Sequence, residues 1–155
     1  MSVNGKKLTY DCENPNQLNQ QSVEYESTAG DSVANFWRCI NICHDCFLMN
    51  IKGKVTDGKQ VQKLSGASLD EVTFLEMSKK VGYCEFTERQ EKRIKINIKG
   101  NTEEYEILRV IEFDSLRKRM SVIVKNTETN KVFNFIKGAD VALEERLSKD
   151  SKTSD

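Results

Sequence analysis

The stretch ILRVIEFDSLRKRMSVIVKNTETNKVFNFIKG, residues 107–138, decides the fold. It contains three segments rich in β-branched and aromatic residues, and short polar turns separate them. In the middle segment Met120, Val122 and Val124 alternate with other side chains, which is the pattern of a half-buried β-strand. Strands joined by such short turns pair antiparallel with their neighbours along the chain. The stretch therefore predicts three consecutive strands of an antiparallel meander.

The residues before this stretch extend the meander. Ile94, Ile96 and Ile98 alternate with polar side chains and form the clearest half-buried strand of the chain. The Gly-Asn pair at residues 100–101 is a turn signal that leads into the next strand, and residues 83–87 have an extended pattern. Because short turns join all of these segments, we expect one antiparallel sheet.

Two helices are predicted before the sheet. Ser68 followed by Glu71 is a capping box, in which the serine hydroxyl and the glutamate carboxylate satisfy backbone N–H groups at the helix start. This helix ends at Gly82, since glycine readily takes the left-handed conformation of a helix end. An earlier helix begins at Asp31 or the following serine and runs to about residue 48. Its apolar side chains recur at helical spacing: Phe36, Cys39, Ile40, Cys43 and Phe47.

Three cysteines and the only histidine of the chain cluster in this first helix. Cys39, Cys43 and Cys46 share a helix face, whereas His44 points about 100° away from Cys43. The sequence holds no second Cys/His pair that would complete a tetrahedral zinc site. We therefore predict that these cysteines pack in the core, where free cysteines are common. The odd total of five cysteines also argues against a disulfide framework.

Composition limits the classes of protein that the chain can represent. Its 155 residues suit one domain, and its 24 basic and 24 acidic residues cancel, so no net charge favours nucleic acid or a membrane surface. No apolar run reaches the ~18 residues of a membrane span, and no secretory signal opens the chain. We expect a polar, poorly ordered linker over residues 1–31, a folded domain of the α+β class over residues 32–148, and a polar tail over residues 149–155.

An aromatic residue and several cations lie at the turns of the meander. Phe113 comes at the end of one strand, and the basic run of residues 117–119 follows it directly. Lys137 and Gly138 close the last strand. A flat π face beside fixed cations matches the chemistry of a purine that carries phosphates. Taken one at a time, a phenylalanine here could equally be core, and a lysine in a basic run could be a solvated surface residue.

Three blocks of sequence resemble the nucleotide-binding domain of P-type ATPases, and most closely its phospholipid-flippase branch. SGASLDEVTFLEMSKKVGY (65–83) is similar to the family's Ser-Pro-Asp-Glu block, with Leu69 where the family usually has proline. RVIEFDSLRKRMSVIV (109–124) is nearly the flippase pattern, and Lys-Gly-Ala at residues 137–139 is followed by Asp140, where cation pumps more often have proline. The resemblance covers most of residues 35–147 and implies a twisted antiparallel β-sheet flanked by helices.

The resemblance also assigns a role to each candidate site residue. It implies that Phe113 stacks on the adenine, that Lys118 lies along the nucleotide, and that Lys137 lies at the pocket floor. Glu71 would face the adenine amino group, and one of its carboxylate oxygens could still serve the capping box. Gly138 would leave room for close approach of the base or ribose.

By the same resemblance the ligand is ATP, bound as Mg-ATP with the magnesium ligands outside this chain. The sequence has neither the family's Asp-Lys-Thr-Gly-Thr run nor a P-loop, so we expect it to bind ATP without hydrolysing it. It would present ATP to an aspartate on a separate domain, as a cytosolic domain of a phospholipid-translocating integral membrane protein. The implied partners are the phosphorylation and actuator domains of the same parent chain and an accessory membrane subunit, while the chain itself would be soluble and monomeric.

Two alternatives remain at this level. The chain could be the corresponding domain of a cation-transporting P-type ATPase, because the residues that select the transported substrate would lie in membrane helices. It could also be a nucleic-acid or protein-binding module that uses a basic sheet face. The absence of a ribonucleoprotein aromatic motif and the zero net charge disfavour nucleic acid. The cations of such a face would be Lys92, Arg93, Lys95, Lys99 and the run 117–119.

Overall fold

The structure, a computed structural model, describes residues 2–3, 6–56 and 59–147 of the chain. The helices in these residues are α1 (Asn16–Ala29), α2 (Asp31–Ile42), α3 (Leu69–Val81) and α4 (Asp140–Glu144). The strands are β1 (Ser2–Val3), β2 (Lys6–Lys7), β3 (Phe47–Thr56), β4 (Lys59–Ser65), β5 (Cys84–Arg89), β6 (Arg93–Ile98), β7 (Asn101–Asp114), β8 (Arg119–Asn126) and β9 (Val132–Gly138).

A five-stranded antiparallel sheet of order β5-β6-β7-β8-β9 is the frame of the fold. Every strand in it pairs with its neighbour in sequence, which confirms the predicted meander and the α+β class. The hairpin of β3 and β4 and the short pair of β1 and β2 are separate two-stranded sheets. The alternation in β6 decides which face is inside, since Ile94, Ile96 and Ile98 are all buried.

Helix α2 packs between α1, α3 and the sheet. The ring of its Trp37 is fully buried and stacks on Tyr83 with 5.8 Å between ring centroids. Arg38 of the same helix donates two hydrogen bonds, of 2.9 and 2.7 Å, to the carboxylate of Glu103 on β7. Tyr105 donates a third, of 2.6 Å, to that carboxylate. A bidentate pair of this kind holds the helix in one orientation on the sheet.

Part of the predicted poorly ordered linker over residues 1–31 is helical, because residues 16–29 form α1. Leu18 and Ser22 of α1 are buried, and the indole N–H of Trp37 donates to the Ser22 hydroxyl at 3.3 Å. Few apolar side chains mark this helix, and one of its buried positions is a serine, so hydrophobic periodicity could not reveal it. Pro15, the only proline, directly precedes the helix, where its missing N–H costs nothing. The predicted polar tail at residues 149–155 lies outside the described residues.

Helix α2 ends at Ile42, six residues before the predicted end near residue 48. The next residues form a tight turn in which the backbone N–H of Cys46 donates to Nδ1 of His44 at 3.0 Å. Phe47, placed on the helix by its spacing, opens β3 instead. Of the three cysteines predicted to pack in the core, Cys43 and Cys46 are buried, and Cys39 is half-buried and packs against the core. Across the described parts of the chain, no group of three or more His, Cys, Asp or Glu side chains is arranged to hold a metal ion.

Helix α3 has the predicted start and end. Ser68 is its N-cap and accepts a hydrogen bond of 3.4 Å from the backbone N–H of Glu71, while Gly82 ends it with a left-handed φ of 78°. Among the described residues, no helix is both long and apolar enough to cross a bilayer.

Candidate functional site

A cavity of about 460 Å³ lies where the start of α3 faces the ends of β7, β8 and β9. Four of the five predicted site residues line it, namely Glu71, Phe113, Lys137 and Gly138. We call it the Phe113 cavity. A larger cavity of about 550 Å³ lies between the β3–β4 hairpin, α3 and β5, but the charged Lys79 and Glu85 in its lining pair with each other at 2.7 Å. The remaining lining of the Phe113 cavity consists of Ser68, Asp70, Phe74, Met120 and Ala139.

Phe113 is an exposed ring on the wall of this cavity, with 64% of its surface accessible. The pairing of β7 with β8 shifts register between Ile111 and Asp114, so Phe113 stands in an irregularity of the ladder. The carboxylate of Asp114 then accepts hydrogen bonds from two backbone N–H groups of the following turn, at 2.7 and 3.1 Å. These contacts hold the turn in place. Because its ring is exposed, the interpretation of Phe113 as a core residue is excluded.

Lys137 and Glu71 form an ion pair that joins β9 to α3 at the cavity wall. Both side chains are largely buried, and the carboxylate of Glu71 also accepts a hydrogen bond of 3.0 Å from the backbone N–H of Asp45. Burial raises the pKa of Glu71, but the hydrogen bonds from Asp45 and Lys137 outweigh it and leave the pKa below its ordinary value. Glu71 is thus a carboxylate at neutral pH. It is directed at these two partners rather than at the helix cap, so the second half of the predicted capping box is not formed.

Gly138 is required by the neighbouring strand. A Cβ atom at this position would lie 2.5 Å from the carbonyl oxygen of Lys118 and 2.8 Å from Cα of Arg119. Both are backbone atoms, which cannot move aside as the end of a flexible side chain can. We expected the absence of a side chain at this glycine to leave room for a ligand. The structure shows that it leaves room for the backbone of Lys118 and Arg119 at the start of β8.

A comparison of the sequence with known families finds a match over most of the chain. The family model described as "P-type ATPase, cytoplasmic domain N" matches residues 32–152. The chain belongs to this family. The N domain therefore has the fold and the family membership that the sequence blocks predicted.

Curated relatives point to one branch of the family. The N domain is 32% identical over 145 residues to Phospholipid-transporting ATPase 6 of Arabidopsis thaliana, which covers 90% of this chain and 11% of that protein. It is 31% identical over 123 residues to Phospholipid-transporting ATPase IC of Xenopus tropicalis, covering 79% and 9%. It is 34% identical over 121 residues to Phospholipid-transporting ATPase IK of Homo sapiens, covering 77% and 9%. The chain thus spans about a tenth of the length of these relatives.

Lys118 is the predicted site residue that the structure does not place in the cavity lining. Its side chain is exposed, and its backbone has a left-handed φ of 52°. Its N–H donates to the carbonyl of Asp114 at 2.6 Å, and its own carbonyl accepts from the N–H of Ala139 at 3.0 Å. In the N domain the backbone of Lys118 therefore joins the β7–β8 turn to the end of β9. A role for its ammonium group remains a prediction.

Five lining residues were not among the predicted site residues, and Phe74 and Met120 are the two of them with large apolar side chains. Phe74 lies three residues after Glu71, hence on the same face of α3, and Met120 is buried at the start of β8. The helical spacing from Glu71 was the available signal for Phe74. No comparable signal existed for Met120, because a methionine in an alternating strand is indistinguishable from any other core residue.

Proposed function

We propose that this N domain binds ATP with its adenine on Phe113, and presents the phosphates to an aspartate of another domain in a phospholipid-transporting P-type ATPase. The observation that carries the proposal is the exposed ring of Phe113 beside the Lys137–Glu71 pair in one cavity. The names of the relatives favour phospholipid transport over cation transport.

The size and lining of the cavity suit an adenine nucleotide. A volume of about 460 Å³ lies within the range of small-molecule sites. Stacking of a base on an aromatic ring contributes ~1–3 kcal/mol. The exposed ammonium of Lys118, placed near a phosphate, would add on the order of 1 kcal/mol. After the entropy cost of association, the expected Kd lies between about 0.1 mM and several mM.

The site as described supplies binding groups for the base, whereas phosphoryl transfer also needs an acceptor and magnesium ligands in line with the γ-phosphate. We propose that these come from the phosphorylation domain of the parent chain, with the actuator domain and an accessory membrane subunit as further partners. In this arrangement the N domain lies on the cytosolic side of the membrane.

The alternative of a basic nucleic-acid face has less support. Three of its cations are neutralised by carboxylates: Arg93 pairs with Glu104 at 2.8 Å, Lys95 with Glu88 at 2.9 Å, and Lys99 with Glu26 at 2.6 Å. Phosphate binding would have to break these pairs, which lowers the affinity that such a face can reach.

Substituting Phe113 by alanine tests the proposal. We expect the Kd for ATP to rise at least about fivefold, because the loss of one base–aromatic stack costs ~1–3 kcal/mol. Titration of the isotope-labelled chain with ATP, followed by NMR, measures the Kd and identifies the amides that shift. In the unsubstituted chain the largest shifts should centre on Phe113, Lys137 and Ala139.

Leu108→Ala is the matched control for this substitution. Leu108 is on the same strand, is 49% exposed, and stands at the other register shift of β7, outside the cavity lining. Its loss should leave the Kd for ATP within about twofold of the original, since it removes only exposed apolar surface. An unchanged Kd in Phe113→Ala, or tight and salt-sensitive binding of a short single-stranded oligonucleotide, would refute the proposal.

Lys118→Gly separates the side chain of Lys118 from its backbone. Glycine takes a left-handed φ without strain, so we expect stability to stay constant or rise by up to about 1 kcal/mol. If the ammonium lies along the nucleotide, the Kd for ATP should rise about threefold to fivefold at low salt and less at high salt. Calorimetric titration at two salt concentrations measures this. Equal affinities for the two proteins at both concentrations would remove Lys118 from the site.

A further inference from the structure

Phe74 is an aromatic residue of the Phe113 cavity with no part in the resemblance. It is 46% exposed, although it lies in the middle of a helix that packs on the core. The core-facing positions of α3 are Leu75, Ser78 and Val81, all buried. Phe74 and Glu71 are three residues apart and form a second face of α3, which is directed at the cavity. The ring of Phe74 is therefore placed for the cavity rather than for the core.

A second cavity adjoins the first at the same residues. It has a volume of about 360 Å³, and Phe74, Glu71, Lys137 and Gly138 line both cavities. Its other lining is mostly apolar and includes Phe36, Ile40, Ile136 and Leu143. Because Phe74 lines both cavities, its ring is less tightly surrounded than a packed core residue and can adjust its tilt more easily.

We propose that Phe74 is the second aromatic wall of the base site, so that the purine lies between Phe74 and Phe113. This inference rests on the proposed function and adds the basis of its base selectivity. A base held between two rings gains stacking on both faces, and the gain grows with the area of the base. A purine has two fused rings and a pyrimidine has one. The second wall therefore makes the cavity prefer ATP to CTP, beyond any preference that Glu71 provides through the amino group.

The substitution Phe74→Leu tests this selectivity. Leucine keeps an apolar side chain and a good helix former at this position but removes the π face. We expect the Kd for ATP to rise about fivefold to tenfold and the Kd for CTP to rise less than about threefold, so that the preference for ATP shrinks. Phe74→Tyr retains the ring and should retain both the affinity and the preference. A ratio of the two Kd values that Phe74→Leu leaves unchanged would overturn the inference.

A direct contact on the unsubstituted chain provides a readout that does not depend on the folding of a variant. With the phenylalanine rings isotope-labelled, adenine H2 and H8 should show nuclear Overhauser contacts to the rings of both Phe74 and Phe113. Contacts to Phe113 alone would overturn the inference while leaving ATP binding intact. An unchanged Kd for ATP in Phe113→Ala would refute the proposed function itself. The two failures therefore give different results and are distinguishable.

Discussion

Alanine in place of Gly138 is expected to lower the free energy of unfolding by roughly 2–4 kcal/mol, the range of an overpacked site that also loses a hydrogen bond. The new Cβ would lie 2.5 Å from the carbonyl oxygen of Lys118, which accepts the N–H of Ala139. Relief of this overlap requires β9 to move away from β8 at the pair Arg119 and Gly138. Because Lys137 and Ala139 flank the position and both line the cavity, ATP affinity should fall at least tenfold as well.

Gly100→Ala is the control that separates overlap from backbone strain. Gly100 has a left-handed φ of 83°, and a Cβ there would meet no atom within 4 Å. Strain alone should cost about 1 kcal/mol and leave the Kd for ATP unchanged. Urea unfolding and ATP titration of both variants measure the two effects. A Gly138→Ala protein as stable as Gly100→Ala would show that β8 and β9 separate here at little cost, contrary to the geometry.

Acidification from about pH 6.5 to about pH 4 is expected to remove about 3 kcal/mol of stability through His44 alone. The imidazole is 1% exposed, its Nδ1 accepts the N–H of Cys46, and its Nε2 lies 2.9 Å from the carbonyl of Asn41. Burial, followed by the positive charge of Arg89, lowers its pKa from 6.5 to about 4. In this interval the unfolded chain takes up a proton that the folded chain does not. Stability is therefore complete above about pH 6.5 and is lost as the pH falls towards 4.

The single histidine of the chain makes this linkage measurable. The free energy of unfolding, from urea titrations at several pH values, should fall by about 1.2 kcal/mol between about pH 6 and pH 5. His44→Gln removes the titrating group and should flatten that slope, whatever its effect on stability at neutral pH. The carboxylates with lowered pKa values, Glu71, Glu88, Glu103 and Asp114, act only below their ordinary values of 4.5 for glutamate and 3.8 for aspartate. An imidazole whose NMR signals titrate near pH 6.5 in the folded chain would contradict the prediction.

The sequence by itself determined the five-stranded sheet and the bounds of helix α3. Alternation in β6 and the short turns between the strands predicted the antiparallel order, because a period of two assigns each side chain to one face. The Ser68 cap and Gly82 predicted the bounds of α3, because Ser68 acts through a hydrogen bond to a backbone N–H three residues away and Gly82 through its own left-handed backbone. Local signals of this kind survive in the folded structure since they need no distant partner.

Tertiary contacts decided the parts that the sequence left open or predicted wrongly. Helix α1 is stabilised by burial of Leu18 and by the Trp37–Ser22 hydrogen bond, which a local pattern cannot contain. Resemblance named Glu71 and Lys137 as neighbours of a nucleotide, but only the fold brings these residues, 66 positions apart in the chain, into one ion pair. Phe74 likewise becomes a candidate site residue only because the fold places it in the same cavity lining as Phe113. Periodicity says which face of an element is apolar, whereas a site depends on which faces of different elements meet, and packing alone determines that.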